Sequence, residues 1–323
     1  MDITVGTFNL NNLFSRFNFK GEIDAIRALD TTLDGELKYE FGARETWKIR
    51  TYRGGLMKAK KTKDTDLIAK RIKKINIDVL AIQEAEDIDT LHQFNREHLD
   101  WMYRYVILVE GNDPRLIDVG VLSKLPIGGV TSWQRAVHPD DPTRAVFGRD
   151  LLEVEILSIS RSRKLFTIFN NHLKSHYVDF NEDPVAGERS NNERRTRQAE
   201  MMAEIVKART RPDSRFIVLG DINDPPNSPC LQPLVGDSEL RLTDALSNPG
   251  ETRPPKPDTP PPSSTAWTHR YKRSRHPAKY ELYDQIWLSP ALSDKQKEAW
   301  IDRRKRHSGD GSDHDLAWIK LGL

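Results

Sequence analysis

The sequence feature that most constrains the fold is the stretch at residues 215–223, Arg-Phe-Ile-Val-Leu-Gly-Asp-Ile-Asn. Its apolar run, residues 216–219, is too short for a helix and rich in β-forming residues, so it predicts a buried strand. Gly220 lets the backbone turn sharply at the end of this strand. Asp221 and Asn223 follow, and an acid and an amide in this position can hold a metal-bound phosphate or an attacking water. Taken alone, Gly-Asp-x-Asn is more often an ordinary Asx turn.

Strand runs alternate with helical patterns through the rest of the chain. Residues 3–8 predict a strand, and a helix capped by Asp64 or Thr65 leads to a buried-strand run at residues 77–82. Further strands are predicted at residues 105–109, 118–123, 151–157, 165–169, 267–269, 283–288 and 315–319, and a second helix at residues 195–208. Loops are predicted at residues 15–63 (with a short helix near residues 22–29), 131–148, 177–193 and 249–264. A helix between two apolar strands is typical of an α/β protein.

Charge and cysteine content exclude several classes of protein. Fifty basic and 48 acidic residues give a net charge of +2, so no global field favours an acidic partner. The basic residues are instead bunched, at residues 58–63, 70–74, 270–275 and 303–306. The single cysteine, Cys230, excludes an intramolecular disulfide and a cysteine-rich zinc site. The absence of a signal peptide and of a membrane-spanning run predicts a cytoplasmic protein, although a secreted protein without its signal would look the same.

Polar residues of the types that handle metals and phosphates follow several predicted strands within two or three positions. They are Asn9, Glu84, His172, Asp221 and Asn223. Strand ends of one sheet layer converge in space, which is where α/β proteins place their chemistry. We therefore expect these side chains to form one site.

Two further carboxylates belong to this set. Asp284 lies inside a predicted strand, where a charge is costly unless it is paired, and Asp313-His314 precedes the last strand. Simpler roles remain open for two of the candidates. Asn9 could be a strand-end turn former, with Asn11 or Asn12 serving in its place, and Asp284 could be a structural carboxylate.

A set of short motifs occurs in a fixed order: Thr-Phe-Asn (7–9), Ile-Gln-Glu (82–84), Val-Gly-Val-Leu-Ser (119–123), Asn-His-Leu-Lys-Ser (171–175), Gly-Asp-Ile-Asn (220–223), Tyr-Asp-Gln-Ile (283–286) and Ser-Asp-His (312–314). Together they resemble the endonuclease/exonuclease/phosphatase superfamily, whose members have the deoxyribonuclease-I-like fold. The motifs run from residue 7 to residue 314 and so cover essentially the whole chain. The resemblance implies one catalytic domain over residues 1–323, a four-layer α/β sandwich of two packed mixed β-sheets flanked by helices.

The resemblance also implies roles for individual residues. It implies hydrolysis of a phosphoester with Mg²⁺, or with Mn²⁺ in its place. Glu84 would be the principal metal carboxylate, with Asn9 and Asp313 close to the metal, and hard oxygen ligands of this kind suit Mg²⁺.

The remaining candidates would act on the water and the phosphate. Asp221 would be the general base for the attacking water, which Asn223 would help to orient. His172 would stabilise phosphate charge in the transition state, and His314 would do the same while held by Asp284. The further candidates for binding the substrate are Arg149, Asn171 and Lys174.

One departure from the family pattern bears on the substrate. Exonuclease-III-like members carry a glycine and an active-site tyrosine just before the Val-Gly-Val-Leu-Ser strand, whereas this chain has Leu116-Ile117-Asp118. An abasic-site endonuclease is therefore disfavoured. Asp118 could be a carboxylate partner of His172 or an ordinary residue at a strand start.

Three functions compete. The first is a nuclease that acts on DNA or RNA, supported by basic clusters with nearby aromatic residues at 47–63 and 267–275. The second is a phosphatase or phosphodiesterase for a nucleotide, an inositol phosphate or a lipid headgroup. The third is a non-catalytic binding protein, which is disfavoured because all the candidate catalytic residues are present together. We expect a nucleic-acid substrate, no contact with a membrane, and a monomer.

Overall fold

The structure, a computed structural model, describes residues 1–15, 59–113, 115–179, 181–252, 261–272, 276–304 and 310–323. Its strands are β1 (Asp2–Leu13), β2 (Val79–Ala85), β3 (Tyr105–Leu108), β4 (Asp118–Ser123), β5 (Ile127–Ser132), β6 (Val137–His138), β7 (Asp141–Ala145), β8 (Leu151–Leu157), β9 (Lys164–His172), β10 (Phe216–Asp221), β11 (Thr243–Asp244), β12 (Gly250–Glu251), β13 (His269–Tyr271), β14 (Lys279–Glu281), β15 (Asp284–Leu288), β16 (Gln296–Asp302) and β17 (Leu316–Gly322). Its helices are α1 (Thr62–Ile75), α2 (Ile88–Glu97), α3 (Pro184–Arg209), α4 (Gln232–Val235) and α5 (Pro290–Ser293), with a 3₁₀ turn at Pro229–Leu231.

Two large mixed sheets form the centre of the fold. The first sheet has the strand order β12-β16-β17-β1-β2-β4-β3, and the second has the order β11-β15-β10-β9-β8-β5. In the first sheet β1 runs parallel to β2, and in the second β10 runs parallel to β9. Most other neighbours in the two sheets are antiparallel, so both sheets are mixed, as predicted.

The helices cover the outer faces of the two sheets. Side chains from both sheets, among them Val5, Val79 and Ile217, meet in one apolar layer between the sheets. Helices α1 and α2 pack on the outside of the first sheet, and α3 packs on the outside of the second. The order helix–sheet–sheet–helix confirms the predicted four-layer sandwich.

The alternation of side chains along each strand places the polar residues in the space between the sheets. In β10, Ile217 and Leu219 enter the apolar layer, and Asp221, two residues further on, has the same orientation. In β1 the same alternation brings Asn9 to this face, in line with Val5. Both sheets therefore present polar side chains at one end of the shared core.

Most predicted strands are confirmed, but several boundaries were wrong. Strands β1, β2, β9, β10 and β17 extend beyond their predicted ends, so several candidate residues lie within strands and not after them. The second helix begins at Pro184 and not near residue 195, because the Asp183 carboxylate caps it by accepting from the amides of Val185 and Ala186. The first helix begins at Thr62, ahead of the predicted caps.

Some elements were missed, and some predictions lie outside the described residues. Helix α2, strand β16 and the β6–β7 hairpin had not been predicted. The predicted helix near residues 22–29 lies outside the described residues, as does most of the predicted loop at residues 15–63. Within the part of the chain that is described, no helix is both long enough and apolar enough to cross a membrane. That residues 1–323 form one catalytic domain stays a prediction.

Candidate active site

Asp221 lies at the centre of the polar cluster. It is 1% exposed, and its Oδ2 accepts a hydrogen bond of 2.8 Å from the Asn9 side-chain amide across the gap between the sheets. Its Oδ1 accepts one of 3.0 Å from the backbone amide of Asn223. Burial raises the pKa of Asp221 above the usual carboxyl range, since a charge is poorly solvated there. A carboxylate held in this way is suited to accept a proton near neutral pH.

His314 and Asp284 form a buried pair beside Asp221. Nδ1 of His314 lies 2.7 Å from Oδ2 of Asp284, and its Nε2 lies 3.7 Å from Oδ2 of Asp221. Burial alone would lower the pKa of His314, but the Asp284 and Asp221 carboxylates outweigh it and raise that pKa well above the ordinary value. His314 is therefore an imidazolium at neutral pH.

His172 approaches Asp221 from the other side, but its charge state is the opposite. Its Nε2 lies 3.5 Å from Oδ2 of Asp221. Burial, with Arg149 and the charged His314 nearby, lowers the pKa of His172 well below the usual value. The two histidines were predicted to have similar roles, but they differ in charge: His172 is neutral and His314 is charged.

Gly220 sets the register that brings His172 next to Asp221. Parallel pairing of β9 and β10 places Gly220 opposite Asn171 and Asp221 opposite His172. Gly220 has a φ of +136°, and a Cβ there would lie 1.9 Å from the Asn171 carbonyl oxygen. Only glycine permits this approach of the two strands. Asn171, a predicted substrate-binding residue, is buried and donates from its side chain to the Asp150 carbonyl oxygen at 2.5 Å.

Glu84 lies at a bulge near the end of β2. The pairing of β2 with both of its neighbours shifts register between residues 83 and 85, so Glu84 is left out of the ladder. Its φ is +60°, a left-handed conformation that is uncommon for residues other than glycine and that accompanies the bulge. Its Oε2 accepts a hydrogen bond of 2.9 Å from the Asn12 amide.

The end of β1 links the three predicted metal residues. Asn9 bonds Asp221, Asn12 bonds Glu84, and the Asn11 side chain donates to Oδ1 of Asp313 at 2.6 Å. Asn11 and Asn12 both have positive φ, which is tolerated by asparagine and turns this segment toward both carboxylates. Asn9 is therefore not simply a turn former, and its neighbours take part as well.

Glu84, Asp313 and the carbonyl of Asn11 are linked through residues 11 and 12, and we call this set of oxygen donors the acidic pocket. Oxygen donors of this kind are those that a hard divalent cation requires. The Lys60 ammonium already enters this pocket, donating to the Asn11 carbonyl oxygen at 2.5 Å. Burial lowers the pKa of Lys60, while the carboxylates of Asp64, Glu84 and Asp313 oppose that shift. A lysine in this position is a stand-in cation, so these residues fit the metal that the family implies.

A further set of cations lies around the site. Arg149 is buried, donates to the Leu173 carbonyl oxygen at 3.1 Å and lies 3.1 Å from the Asp113 carboxylate. Asp113 also binds Arg115 at 3.1 Å, and the Arg115 side chain is 52% exposed. Burial, together with several arginines including Arg149, lowers the pKa of Lys174 to about 8. Arg115 was not predicted from the sequence, because it lies in a turn with no recognisable motif.

Asp118 does not pair with His172. Its Oδ1 accepts a hydrogen bond of 2.8 Å from the Gly111 amide, while its Oδ2 is buried without a hydrogen-bond partner among the described residues. The Gly111 bond ties the start of β4 to the loop that carries Asp113. Asp118 is thus part of the support for that loop.

Two compact groups of acidic and histidine side chains have ligand atoms within 4.8 Å of one another in the described part of the chain. One is Asp221, Asp284 and His314, and the other is His269, Asp313 and His314. The first is explained by the Asp284–His314 pair. The second includes His269, which no sequence motif identified and whose side chain is only 19% exposed.

Comparison with known proteins identifies the family of this chain and solved structures with a similar fold. The sequence profile of the endonuclease/exonuclease/phosphatase family matches residues 6–314. No curated protein sequence matches this chain significantly. The fold is similar to that of an endonuclease/exonuclease/phosphatase from Bacteroides vulgatus, with a TM-score of 0.61, 14% identity, and coverage of 100% of this chain and 99% of that one.

Two other solved structures resemble the chain to a similar degree. A mannosyl-6-phosphatase from Bacteroides thetaiotaomicron has a TM-score of 0.56 and 14% identity, with 99% of this chain and 100% of that one covered. TDP2 from D. rerio, complexed with a single-strand DNA product, has a TM-score of 0.55 and 12% identity, with 100% and 99% covered. Because the sequence identities are only 12–14%, the similarity to these structures establishes the fold and not the activity. Because the family profile spans nearly the whole chain, the protein belongs to the endonuclease/exonuclease/phosphatase family, whose members hydrolyse phosphoester bonds and generally use divalent metals.

Proposed function

We propose that this protein is a divalent-metal-dependent phosphodiesterase that hydrolyses nucleic acid. The observation that carries the proposal is a single buried carboxylate, Asp221, flanked by His172 at 3.5 Å and by His314 at 3.7 Å. In this arrangement a general base can activate a water molecule for attack on a phosphate, while a charged and a neutral imidazole on either side hydrogen-bond the phosphate oxygens.

Each side chain has a role that follows from its contacts. Glu84 and Asp313 would hold Mg²⁺ or Mn²⁺, which would supply positive charge to neutralise the phosphate. Asp221 accepts the proton of the attacking water and is kept in place by Asn9. The imidazolium of His314 stabilises negative charge on a phosphate oxygen, and the neutral His172 donates a hydrogen bond to another.

The cations around the site favour a polyanionic substrate over a single phosphate group. Lys174 experiences the charges of Arg115, Arg149 and Arg194 at once. Arg149 is held by Asp113, whereas Arg194 is exposed on α3. The formal net charge of the chain is only +2, so affinity for a polyanion must come from such local groups.

Activity against a substrate panel tests the proposal. Plasmid, single-stranded DNA, RNA, a nucleotide and an inositol phosphate are each incubated with Mg²⁺ and with EDTA. We expect nucleic acid to be cleaved only with the metal, and Glu84→Gln to lose nearly all activity while remaining folded. Glu97→Gln, the same change at a partly exposed position on α2, is the matched control.

Two results would overturn parts of the proposal. Full activity in EDTA or in Glu84→Gln would remove the metal-dependent mechanism. Faster turnover of the nucleotide or of the inositol phosphate than of nucleic acid would assign the site to a small phosphorylated substrate.

Salt dependence provides a second test of the nucleic-acid assignment. Each phosphate contact on duplex DNA should contribute about −0.9 to the slope of log affinity against log salt. Arg194→Ala should make this slope shallower by about 0.9, the contribution of one phosphate contact. The control is Arg211→Ala, an exposed arginine that precedes β10 and so lies at the opposite end of that strand from Asp221. A slope near zero in the wild type would contradict a substrate with many phosphates.

A further inference from the structure

We propose that His269, Asp313 and His314 form a binding site for a transition-metal ion, of which Zn²⁺ is the best match, and that occupation of this site inhibits the enzyme. The three residues each offer one ligand atom, and these atoms lie within 4.8 Å of one another. The binding part of the inference is independent of the proposed function, and the inhibition part rests on it.

The ligand types distinguish this site from the acidic pocket. Two imidazole nitrogens and one carboxylate oxygen are typical ligands of Zn²⁺, whereas Mg²⁺ prefers oxygen ligands alone. Zn²⁺ binds such atoms at about 2.1 Å, so tetrahedral ligands lie roughly 3.4 Å apart. Nε2 of His269 already lies 3.8 Å from Oδ2 of Asp313. Because no two of the three ligand atoms are more than 4.8 Å apart, each separation needs to shorten by at most about 1.4 Å to complete the site.

The surrounding contacts hold both rings in place. Nδ1 of His314 bonds Asp284 at 2.7 Å, the carboxylate–histidine arrangement that orients a histidine ligand and increases its basicity. The ring of His269 stacks on that of Tyr283, with centroids 5.2 Å apart and planes 17° apart. An antiparallel bridge also joins the backbones of His269 and His314.

The site is accessible from solvent on one side. The Asp313 side chain is 55% exposed, while those of His269 and His314 are largely buried. A metal ion can therefore enter past Asp313 and reach the two rings. Three protein ligands leave a fourth position open, as in zinc sites that also hold water.

Occupation of this site would remove two groups from the reaction. Zn²⁺ would take the Asp313 carboxylate from the acidic pocket. It would also displace the Nε2 proton of the His314 imidazolium into solvent, so that this nitrogen could no longer donate to the phosphate. Because these side chains are shared, Zn²⁺ and Mg²⁺ should compete, and inhibition by Zn²⁺ should weaken as Mg²⁺ is raised. His269 contacts Asp313 but neither the water nor the phosphate in the proposed reaction, so among the three ligands it is the one whose replacement should change the basal activity least. Inhibition is therefore compared with the basal rate of each variant without Zn²⁺.

Metal binding by the full chain, without substrate, tests the inference. Zn²⁺ affinity is measured by competition with a chromophoric chelator, and the ligand field is read from the visible absorption of Co²⁺ in the same site. We expect one ion per chain with a tetrahedral Co²⁺ spectrum, and a loss of Zn²⁺ affinity in His269→Gln of at least about tenfold. His92→Gln, at an exposed position on α2, should bind as the wild type does.

The Mg²⁺-supported activity is then titrated with Zn²⁺. His269→Gln should keep most of its basal rate and need at least about tenfold more Zn²⁺ for half inhibition. Equal Zn²⁺ affinity in the wild type and in folded His269→Gln, or no binding by the wild type, would overturn the inference. Tetrahedral binding that depends on His269, without hydrolysis of any phosphoester, would support the site and refute the proposed function instead.

Discussion

Replacement of the buried Asp118 carboxyl by an amide should stabilise the protein at alkaline pH and have little effect in acid. Asp118 is 1% exposed, and its Oδ1 accepts a hydrogen bond from Gly111 that an asparagine oxygen can also accept. Burial raises the pKa of Asp118 to about 7 from an ordinary value of 3.8. The folded protein must therefore bury a charge at alkaline pH that Asp118→Asn does not have.

The magnitude follows from linkage between protonation and folding. Between pH 3.8 and about 7 the folded state keeps the Asp118 proton while the unfolded state loses it, so stability falls as pH rises through this window. A difference of about three units corresponds to about 4 kcal/mol at most, at 1.36 kcal/mol per unit. Allowing for local relaxation, we expect a change of about 2–4 kcal/mol between the two limits. The new amide can also change the free energy of unfolding by an amount that does not depend on pH. That amount is the same at both pH limits and cancels when they are compared.

The measurement is the free energy of unfolding in urea for the wild type and for Asp118→Asn across this pH range. The difference in favour of the variant should grow as pH rises and level off above about pH 7. Asp213→Asn, at an exposed position, should show no such trend. A pH-independent difference for Asp118→Asn would mean that Asp118 ionises normally and would refute the reasoning.

Two further outcomes follow from the contacts at the site. Gly220→Ala should lower the free energy of unfolding by more than about 3 kcal/mol, because its Cβ would overlap the Asn171 carbonyl. The free energy is measured by urea titration, and Gly129→Ala is the control. Asp284→Asn should reduce kcat/KM by about 10²–10⁴, as for loss of an orienting carboxylate. The loss should be greater at alkaline pH, since His314 then loses the carboxylate that raises its pKa; a pH-independent loss would contradict this.

The sequence predicted an α/β protein because its strands are short apolar runs that alternate with helical patterns, and the resemblance to the family implied the four-layer sandwich. The run at residues 216–219 is fully buried in β10, and the helix with Ile68 and Ile72 on one face packs as its pattern requires. Strand ends were less predictable, because Asn170 and His172 continue β9 as polar residues. Pairing between strands stabilises them there, and a single sequence does not reveal such partners.

The site was predictable as a set of residues but not as a set of contacts. The motifs identify Asp221 and His314, but not the charge states of the two histidines. Burial and Arg149 lower the pKa of His172, whereas the Asp284 and Asp221 carboxylates raise that of His314 against the effect of burial. Lys60 belongs to the basic cluster at residues 47–63, which predicted contact with a nucleic-acid backbone, whereas its ammonium donates to the Asn11 carbonyl oxygen in the acidic pocket. Its direction depends on a backbone hydrogen bond to Phe14, which no local pattern shows.

The different charge states of the two histidines lead to a prediction that separates their roles. A neutral imidazole that donates from Nε2 can be replaced in part by glutamine, which is neutral and can place an amide donor near the same position. His172→Gln should therefore retain kcat to within about tenfold, since His172 is neutral in the folded protein. His314→Gln also removes a positive charge beside Asp221 and should lose at least about 100-fold.

Steady-state kinetics of both variants on a small chromogenic diester near neutral pH compares them directly. A diester with one phosphate removes differences in nucleic-acid binding, so the contrast in kcat reports on the reaction itself. Because both side chains are buried, either substitution could destabilise the protein. The thermal midpoint of each variant is therefore measured to check that it remains folded. If His172→Gln lost as much activity as His314→Gln, His172 would have to be charged during the reaction. Its burial beside Arg149 would then have been outweighed by the phosphate, and the assignment of one neutral and one charged ring would be wrong for the substrate-bound state.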